Sequence, residues 1–130
     1  MMEPQKIAKP AIILTRLITA IVIGSNLTAA WAAPAEQTYR LYCVQCHGIL
    51  GNGEGINQTS GGLAVSPLGH TNAEQMSKLT DEEIRQAITG GGDAVAKSEL
   101  MPAWGKTLTA EEIDVLVLYL RKMCQCKSNR

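Results

Sequence analysis

The stretch Cys43-Val44-Gln45-Cys46-His47 constrains the fold and the chemistry of this chain more than any other. It has the form CxxCH, in which two cysteines separated by two residues are followed directly by a histidine. With this spacing, two thiols can add to the two vinyl groups of a haem while the adjacent imidazole reaches the iron. The sequence therefore predicts covalent attachment of haem c through Cys43 and Cys46, with His47 as the proximal iron ligand.

Other chemistries of paired cysteines fit this stretch less well. A thiol–disulfide redox motif would follow a strand in a βαβ unit, and nothing upstream of Cys43 looks like a strand. A zinc site would need a second ligand pair at metal spacing, whereas the other cysteines form the distant CxC of Cys124-Gln125-Cys126. A structural disulfide between Cys43 and Cys46 would leave His47 without a role. No second CxxCH occurs, so the sequence predicts one haem.

The first 32 residues have the composition of an export signal. Basic residues are followed by a short apolar run and then by the small residues of Ala30-Trp31-Ala32. We expect cleavage after Ala32 and a periplasmic domain over residues 33–130, in agreement with haem attachment on that side of the membrane. An uncleaved membrane anchor is the alternative, although a span needs about 20 apolar residues and Arg16 interrupts this segment.

Composition and charge limit the kinds of protein that this chain can form. Its 130 residues suit one small domain, and 12 Lys+Arg against 12 Asp+Glu give no net charge. No basic stripe is present, which argues against a nucleic-acid partner. The chain has no Phe, and a domain of this size has little core of its own. A haem tied to the chain at two points would supply the missing apolar core.

Three helical segments are predicted, and no segment alternates like a strand, so the fold class is all-α. The first segment covers about residues 35–46 and delivers both thiols. The second opens with Thr80-Asp81-Glu82-Glu83 and ends at Gly90-Gly91-Gly92, and the third opens with Thr109-Ala110-Glu111-Glu112. Both openings are capping boxes, in which the Thr caps the helix and the last Glu reaches back. The glycine-rich linker 48–78 is predicted to be an irregular loop that wraps one haem edge.

A second iron ligand decides the function, and Met101 is the strongest candidate. It lies in Leu100-Met101-Pro102-Ala103-Trp104-Gly105, where Pro102 restricts the backbone of a loop between two helices. Trp104 is expected to pack beside the haem and to donate its indole N–H to a propionate. A second imidazole on the iron would lower the reduction potential compared with a thioether. Three other side chains remain open as ligands, namely Met76, Met123 and His70.

Three features occur in the same order over roughly residues 36–123: the CxxCH stretch with Gly48, the glycine-rich run to Gly55, and Met101-Pro102-Ala103-Trp104 before a terminal helix. In these features the chain resembles a class I cytochrome c, and most of all the small bacterial monohaem proteins. The resemblance implies an all-α bundle wrapped around one covalently bound haem. It also implies that the first and last helices cross beside the haem.

The resemblance further implies roles for particular residues. At the helix crossing, Tyr39 or Tyr42 would meet an apolar face of the last helix formed by Leu116, Tyr119 and Leu120. The backbone carbonyl of Pro67 would accept the imidazole N–H of the proximal ligand His47 and so orient its ring. The tail Cys124-Gln125-Cys126 is outside the family pattern. In an oxidising compartment we expect it to form a disulfide, within the tail or to another chain.

If His47 and Met101 both bind the iron, no coordination position stays open, and the remaining chemistry is electron transfer. We therefore expect a periplasmic electron carrier, not an enzyme. It would take one electron from a quinol-oxidising complex or dehydrogenase and deliver it to an oxidase or reductase. Two alternatives remain: a gas sensor or enzyme in which Met101 dissociates, and an electron-entry subunit of a larger redox complex. A membrane would be a partner only if the leader is uncleaved.

Overall fold

The computed structural model describes the backbone of residues 29–130 and the side chains of residues 34–130. The predicted leader lies outside the described residues, except for its last four, which belong to the first helix. Within the described part all regular structure is helical, which confirms the predicted fold class. The elements are α1 (Ala29–Tyr42), α2 (Val44–His47), α3 (Ile56–Thr59), α4 (Ala73–Ser77), α5 (Asp81–Gly90), a 3-10 turn (Asp93–Val95) and α6 (Ala110–Cys124).

The segment that delivers the haem motif is two helices, where the sequence predicted one over residues 35–46. α1 begins earlier than predicted, and it ends at Tyr42, one residue before the first cysteine. The interruption is slight because Cys43 keeps a right-handed helical backbone (φ −111°, ψ −31°). The amide of His47 also donates to the carbonyl of Cys43 at 2.9 Å. The motif therefore lies on a nearly continuous helical path that stops at Gly48, where φ is +79°.

The linker 48–78 is mainly irregular, as its glycines predict, but it contains the short helices α3 and α4. The prediction of a loop was wrong for these two elements, because four or five residues are too few to show a helical period. A local signal does mark the start of α4, since the side chain of Asn72 accepts from the amide of Gln75 at 3.0 Å. The start of the linker folds back onto the haem motif through the amide of Gly55, which donates to the carbonyl of Cys46 at 3.0 Å.

Both predicted capping boxes are present. At the start of α5, the amide of Glu83 donates to Thr80 Oγ1 at 3.1 Å, and Glu83 Oε2 accepts from the amide of Thr80 at 2.7 Å. At the start of α6, the corresponding distances between Thr109 and Glu112 are 3.2 and 2.8 Å. Each box satisfies backbone amides that a helix start would otherwise leave without acceptors.

The core lies between α1, α4, α5 and α6. Its buried members are Tyr39, Met76, Ile84, Ile88, Leu108, Ile113, Leu116, Val117, Leu120 and Cys124. Tyr39 packs against α6, with its ring centroid 5.6 Å from that of Tyr119. Of the two tyrosines considered for the helix crossing, Tyr39 is therefore the one that meets this face, and Tyr42 packs against Trp104 instead.

The C-terminal tail folds back against the middle of the chain. Cys124 and Cys126 form a disulfide with each other, which is the first of the two pairings expected from the sequence. The amide of Asn129 donates to the carbonyl of Ser77 at 2.9 Å. Across residues 29–130, no helix combines the length and apolar character that crossing a bilayer requires.

Candidate functional site

A cavity of about 1950 Å³ opens beside the haem motif. Its walls come from the end of α1, from α2, from the linker, from the segment before α6 and from α6 itself. The floor is apolar and includes the core residues Leu116 and Leu120. All six residues that the sequence assigned to the site line this one cavity, namely Cys43, Cys46, His47, Pro67, Met101 and Trp104.

The ring of His47 is oriented by a backbone carbonyl of the linker. His47 Nδ1 lies 2.9 Å from the carbonyl oxygen of Leu68, a distance at which the Nδ1–H donates to that oxygen. Burial lowers the pKa of His47, and the Leu68 carbonyl opposes this shift in part. A neutral imidazole that donates from Nδ1 keeps its lone pair on Nε2, which is the form that binds a metal.

The prediction that Pro67 supplies this carbonyl was wrong by one residue. The Pro67 carbonyl faces Gly53, where an added Cβ would come within 2.6 Å of its oxygen. Because the chain turns this oxygen toward Gly53, the following carbonyl, that of Leu68, is the one that reaches His47. Pro67 keeps a place in the cavity wall.

The two motif cysteines are free thiols rather than a disulfide. Burial, with a smaller effect of Cys46, raises the pKa of the Cys43 thiol to about 12. A thiol–disulfide redox site works in the opposite way, because it lowers a thiol pKa to keep a thiolate available. Cys46 Sγ accepts a hydrogen bond from Asn57 Nδ2 at 3.5 Å. The raised pKa therefore argues against redox exchange at this pair.

Met101 is held against the end of α5 by backbone contacts on both sides. Its carbonyl accepts from the amide of Gly92 at 3.0 Å, and its amide donates to the carbonyl of Ser98 at 3.2 Å. Three residues further on, the amide of Trp104 donates to the carbonyl of Ile88 at 2.9 Å. These bonds fix the loop and place the half-buried Met101 side chain in the cavity wall.

Trp104 stands at the other end of the same loop. Its ring packs at a tilt against Tyr42, with centroids 4.9 Å apart. The predicted bond from its indole N–H to a haem propionate remains a prediction.

His70 was considered only as a weak alternative ligand, yet it is the one buried polar side chain within residues 34–130. Its ring stacks on that of His47, with centroids 4.1 Å apart and an angle of 18° between the planes. Its Nδ1 lies 3.1 Å from the hydroxyl of Tyr39. Burial, with a further effect of His47, lowers the pKa of His70 well below its ordinary value. Nothing in the spacing of the sequence indicated this contact.

This placement bears on the choice of second ligand. Two axial ligands approach an iron from opposite faces of the haem, whereas His70 lies beside His47. Met76 lines the cavity, but it is also a fully buried core residue. The Cε of Met123 lies against Gly51, and Met123 is not in the cavity wall. Met101 remains the candidate that a loop presents to the cavity from outside the core.

The residues present fit a covalently bound haem. Two free thiols, a neutral imidazole and a thioether surround one large cavity with an apolar floor. The described residues contain no group of three or more His, Cys, Asp or Glu side chains that would hold a bare metal ion. Two cysteines followed directly by a histidine suit an iron that arrives within a macrocycle.

Comparisons with known proteins agree with a site for covalently bound haem. A family model described as "Cytochrome C oxidase, cbb3-type, subunit III" matches residues 30–120. A solved structure, "KustC0563 c-type cytochrome", is similar with a TM-score of 0.54 and 29% sequence identity, over 68% of this chain and 95% of that one. None of the curated proteins matches the chain.

The fold and the site define an electron-transfer domain of the c-type cytochrome class, with one covalently bound haem c. The chain belongs to the family of the cbb3-type cytochrome C oxidase subunit III. The predicted class, all-α fold and cofactor are thereby confirmed.

Proposed function

We propose that the protein is a periplasmic electron carrier. It accepts single electrons from a quinol-oxidising complex or dehydrogenase and delivers them to a terminal oxidase or reductase. The observation behind this proposal is that His47 and Met101 line the same cavity as the two haem-binding cysteines. When bound there, haem supplies one-electron Fe(III)/Fe(II) chemistry.

The chain's own residues hold this site closed. The Leu68 carbonyl holds the Nδ1–H of His47 and so leaves Nε2 for the iron. The backbone bonds to Gly92 and Ser98 hold the loop that carries Met101, whose side chain lines the same cavity. If His47 and Met101 were both to hold the iron, no coordination position would be open to a small substrate. This arrangement favours electron transfer over catalysis.

Two features support a location outside the cytoplasm. The first 32 residues have the composition of an export signal. The disulfide between Cys124 and Cys126 is the second feature, since such bonds persist in oxidising compartments. Cleavage of the leader gives a free periplasmic carrier over residues 33–130, and an uncleaved leader gives an anchored one.

A second candidate function is that of an electron-entry subunit held in a larger redox complex. The matched family description, which names an oxidase subunit, favours it. The electron-transfer chemistry is the same in both cases, and only the lifetime of the partnership differs.

The test uses holoprotein purified from its source organism. A spectroelectrochemical titration should follow a one-electron Nernst curve, and solubilised membranes that contain the terminal oxidase should oxidise the reduced protein rapidly. The proposal fails if the reduced haem is oxidised only by peroxide or oxygen with turnover of that substrate. Stoichiometric co-purification with an oxidase from solubilised membranes would select the subunit over the free carrier.

A further inference from the structure

We propose that His70, anchored by Tyr39, is a positioning residue that fixes the ring plane of the proximal ligand His47. The inference rests on the role of His47 in the proposed function, but on none of the partners named there. It concerns a side chain that neither the CxxCH motif nor the methionine loop includes.

The rings of His70 and His47 are stacked on each other. The two imidazole rings lie 4.1 Å apart at an angle of 18°, so they are close to parallel and in contact. His70 is only 7% exposed, which leaves its ring little freedom to turn. A flat, immobile surface against one face of His47 limits the rotation of the His47 ring about its Cβ–Cγ bond.

Burial of the His70 imidazole has an energetic cost. A buried polar ring is unfavourable unless its nitrogen atoms are hydrogen-bonded, and an aliphatic side chain would fill the same space without this cost. The hydroxyl of Tyr39 meets this requirement for one of the two nitrogen atoms, since it lies 3.1 Å from His70 Nδ1. Tyr39 is itself 1% exposed and belongs to the core. The orientation of His70 is thus fixed by a side chain that cannot move.

Tyr39 also contacts the backbone next to the haem motif. Its hydroxyl also lies 3.4 Å from the carbonyl oxygen of Gly48, the residue after the proximal ligand. All of these groups are satisfied when His70 Nδ1–H donates to the Tyr39 oxygen and the Tyr39 hydroxyl donates to Gly48. Tyr39 then supports both the backbone that follows His47 and the ring that stacks on it.

The Leu68 carbonyl and the His70 ring together fix the orientation of the His47 ring, which neither contact fixes alone. The hydrogen bond from His47 Nδ1 to the Leu68 carbonyl fixes one atom of the ring. The contact with His70 fixes the plane through that atom. With both in place, the direction of Nε2 is set before the iron binds, in the way that outer groups orient a metal ligand.

The test is a double-mutant cycle on holoprotein with Tyr39→Phe, His70→Leu and the double variant. The readout is the pattern of the four haem methyl proton shifts in the ferric protein, which reports the orientation of the axial imidazole plane. Thr71→Val is the matched control, because it removes a hydrogen bond of the same loop, from Thr71 Oγ1 to the Gly51 carbonyl at 3.2 Å. Covalent haem content and the sulfur–iron charge-transfer band are recorded for every variant.

We expect both single variants to change the methyl pattern and Thr71→Val to leave it as in the wild type. Because Tyr39 acts mainly through His70, Tyr39→Phe should have a much smaller effect in the His70→Leu background. An unchanged pattern in Tyr39→Phe, or an equal change in Thr71→Val, would overturn the inference. If His70→Leu gives no holoprotein, the inference is tested by comparing the haem methyl patterns of Tyr39→Phe and Thr71→Val. Absence of the charge-transfer band from the wild type would instead overturn the proposed function.

Discussion

Gly91 is the residue at which the position of Met101 depends most directly on backbone freedom. Its φ of +78° and ψ of −179° lie in a region that is almost restricted to glycine. An added Cβ would come within 2.7 Å of the Met101 carbonyl oxygen. The glycine therefore lets the end of α5 approach the loop of the candidate iron ligand.

We predict that Gly91→Ala destabilises the holoprotein by about 1–3 kcal/mol, the usual cost of a strained backbone conformation. Because the clash is with Met101, the variant should also weaken the ferric sulfur–iron band. Denaturant unfolding and the absorption spectrum measure the two effects. Gly61→Ala is the control, since it has a φ of +77° but meets nothing within 4 Å. An equal loss of the band in the control would contradict this account.

The roles of the haem-motif residues were predictable from the sequence, whereas contacts between residues distant in the chain were not. The CxxCH spacing alone assigned Cys43, Cys46 and His47, because thioether attachment needs that spacing. The choice of the Leu68 carbonyl over that of Pro67 depends on how the linker turns at Gly53. The stack of His70 on His47 joins residues far apart in sequence, and no local pattern encodes it.

Among the elements, α5 shows how a helix start is linked to the chain end. The backbone amide of Thr80 and the guanidinium of Arg130 lower the pKa of Glu83, which closes the capping box. A carboxylate whose folded-state pKa lies below its unfolded value stabilises the fold above the unfolded value. That contribution is lost as the pH falls through the folded-state pKa.

We predict that the free energy of unfolding falls as the pH is lowered below about 4.5, the ordinary pKa of Glu83, and that Glu83→Gln makes this fall shallower. The amide can still reach back to the Thr80 N–H but does not titrate. Denaturant unfolding of the holoprotein at several pH values below 6 measures the slope. Glu111→Gln is the control, because Glu111 forms no ion pair among the described residues. Equal slopes in Glu83→Gln and the wild type would show that the prediction is wrong.

The longer elements were predictable from local signals, and the short ones were not. α5 and α6 each begin with a capping box and follow a helical period, so their starts were predicted to the residue. α3 and α4 have four and five residues, too few to show a helical period, and only the Asn72 cap at the start of α4 is a local signal. The break between α1 and α2 likewise leaves no mark in the apolar pattern.

In the whole molecule, Arg121 joins α6 to the junction of α4 and α5. Its side chain is only 10% exposed. Its guanidinium donates to the carbonyls of Met76 at 2.8 Å and Leu79 at 2.6 Å, and to Asp81 Oδ1 at 2.7 Å. The planar guanidinium thus serves two backbone carbonyls and a carboxylate that are 40 or more residues away in sequence.

We predict that Arg121→Lys costs about 1–3 kcal/mol of unfolding free energy, because an ammonium cannot reach all three oxygens and leaves a half-buried carbonyl unpaired. Arg85→Lys is the matched control. Arg85 bonds only the exposed carboxylates of Glu82 and Asp114. Arg85→Lys should therefore lower the unfolding free energy by less than Arg121→Lys does. Denaturant unfolding of both variants measures the two losses of unfolding free energy. Equal losses would refute the role given to Arg121.

The cavity also makes the folded state dependent on the haem. The core of this chain lies around a space of about 1950 Å³, and a chain without Phe has few large side chains to fill it. We expect haem bound there to complete the apolar core, so that the fold and the cofactor form one cooperative unit.

We predict that a Cys43→Ala/Cys46→Ala variant, which cannot attach haem, loses cooperative thermal unfolding and its near-ultraviolet circular dichroism. Calorimetry and circular dichroism test this loss. Cys124→Ala/Cys126→Ala is the control, because it removes two cysteines and the tail disulfide without touching the haem thiols. It should keep covalent haem and a cooperative transition. A sharp transition near the wild-type temperature in the haem-free variant would contradict the prediction.

The central claim is that His47 and Met101 close both axial positions of the iron. The most direct test is the visible and near-infrared spectrum of the holoprotein in both oxidation states, with carbon monoxide added to the reduced form. The wild type and Met76→Leu should show the ferric sulfur–iron band and bind no carbon monoxide, whereas Met101→Ala should lose the band, keep covalent haem and bind carbon monoxide. An unchanged spectrum in Met101→Ala, or ready carbon monoxide binding by the wild type, would contradict the account.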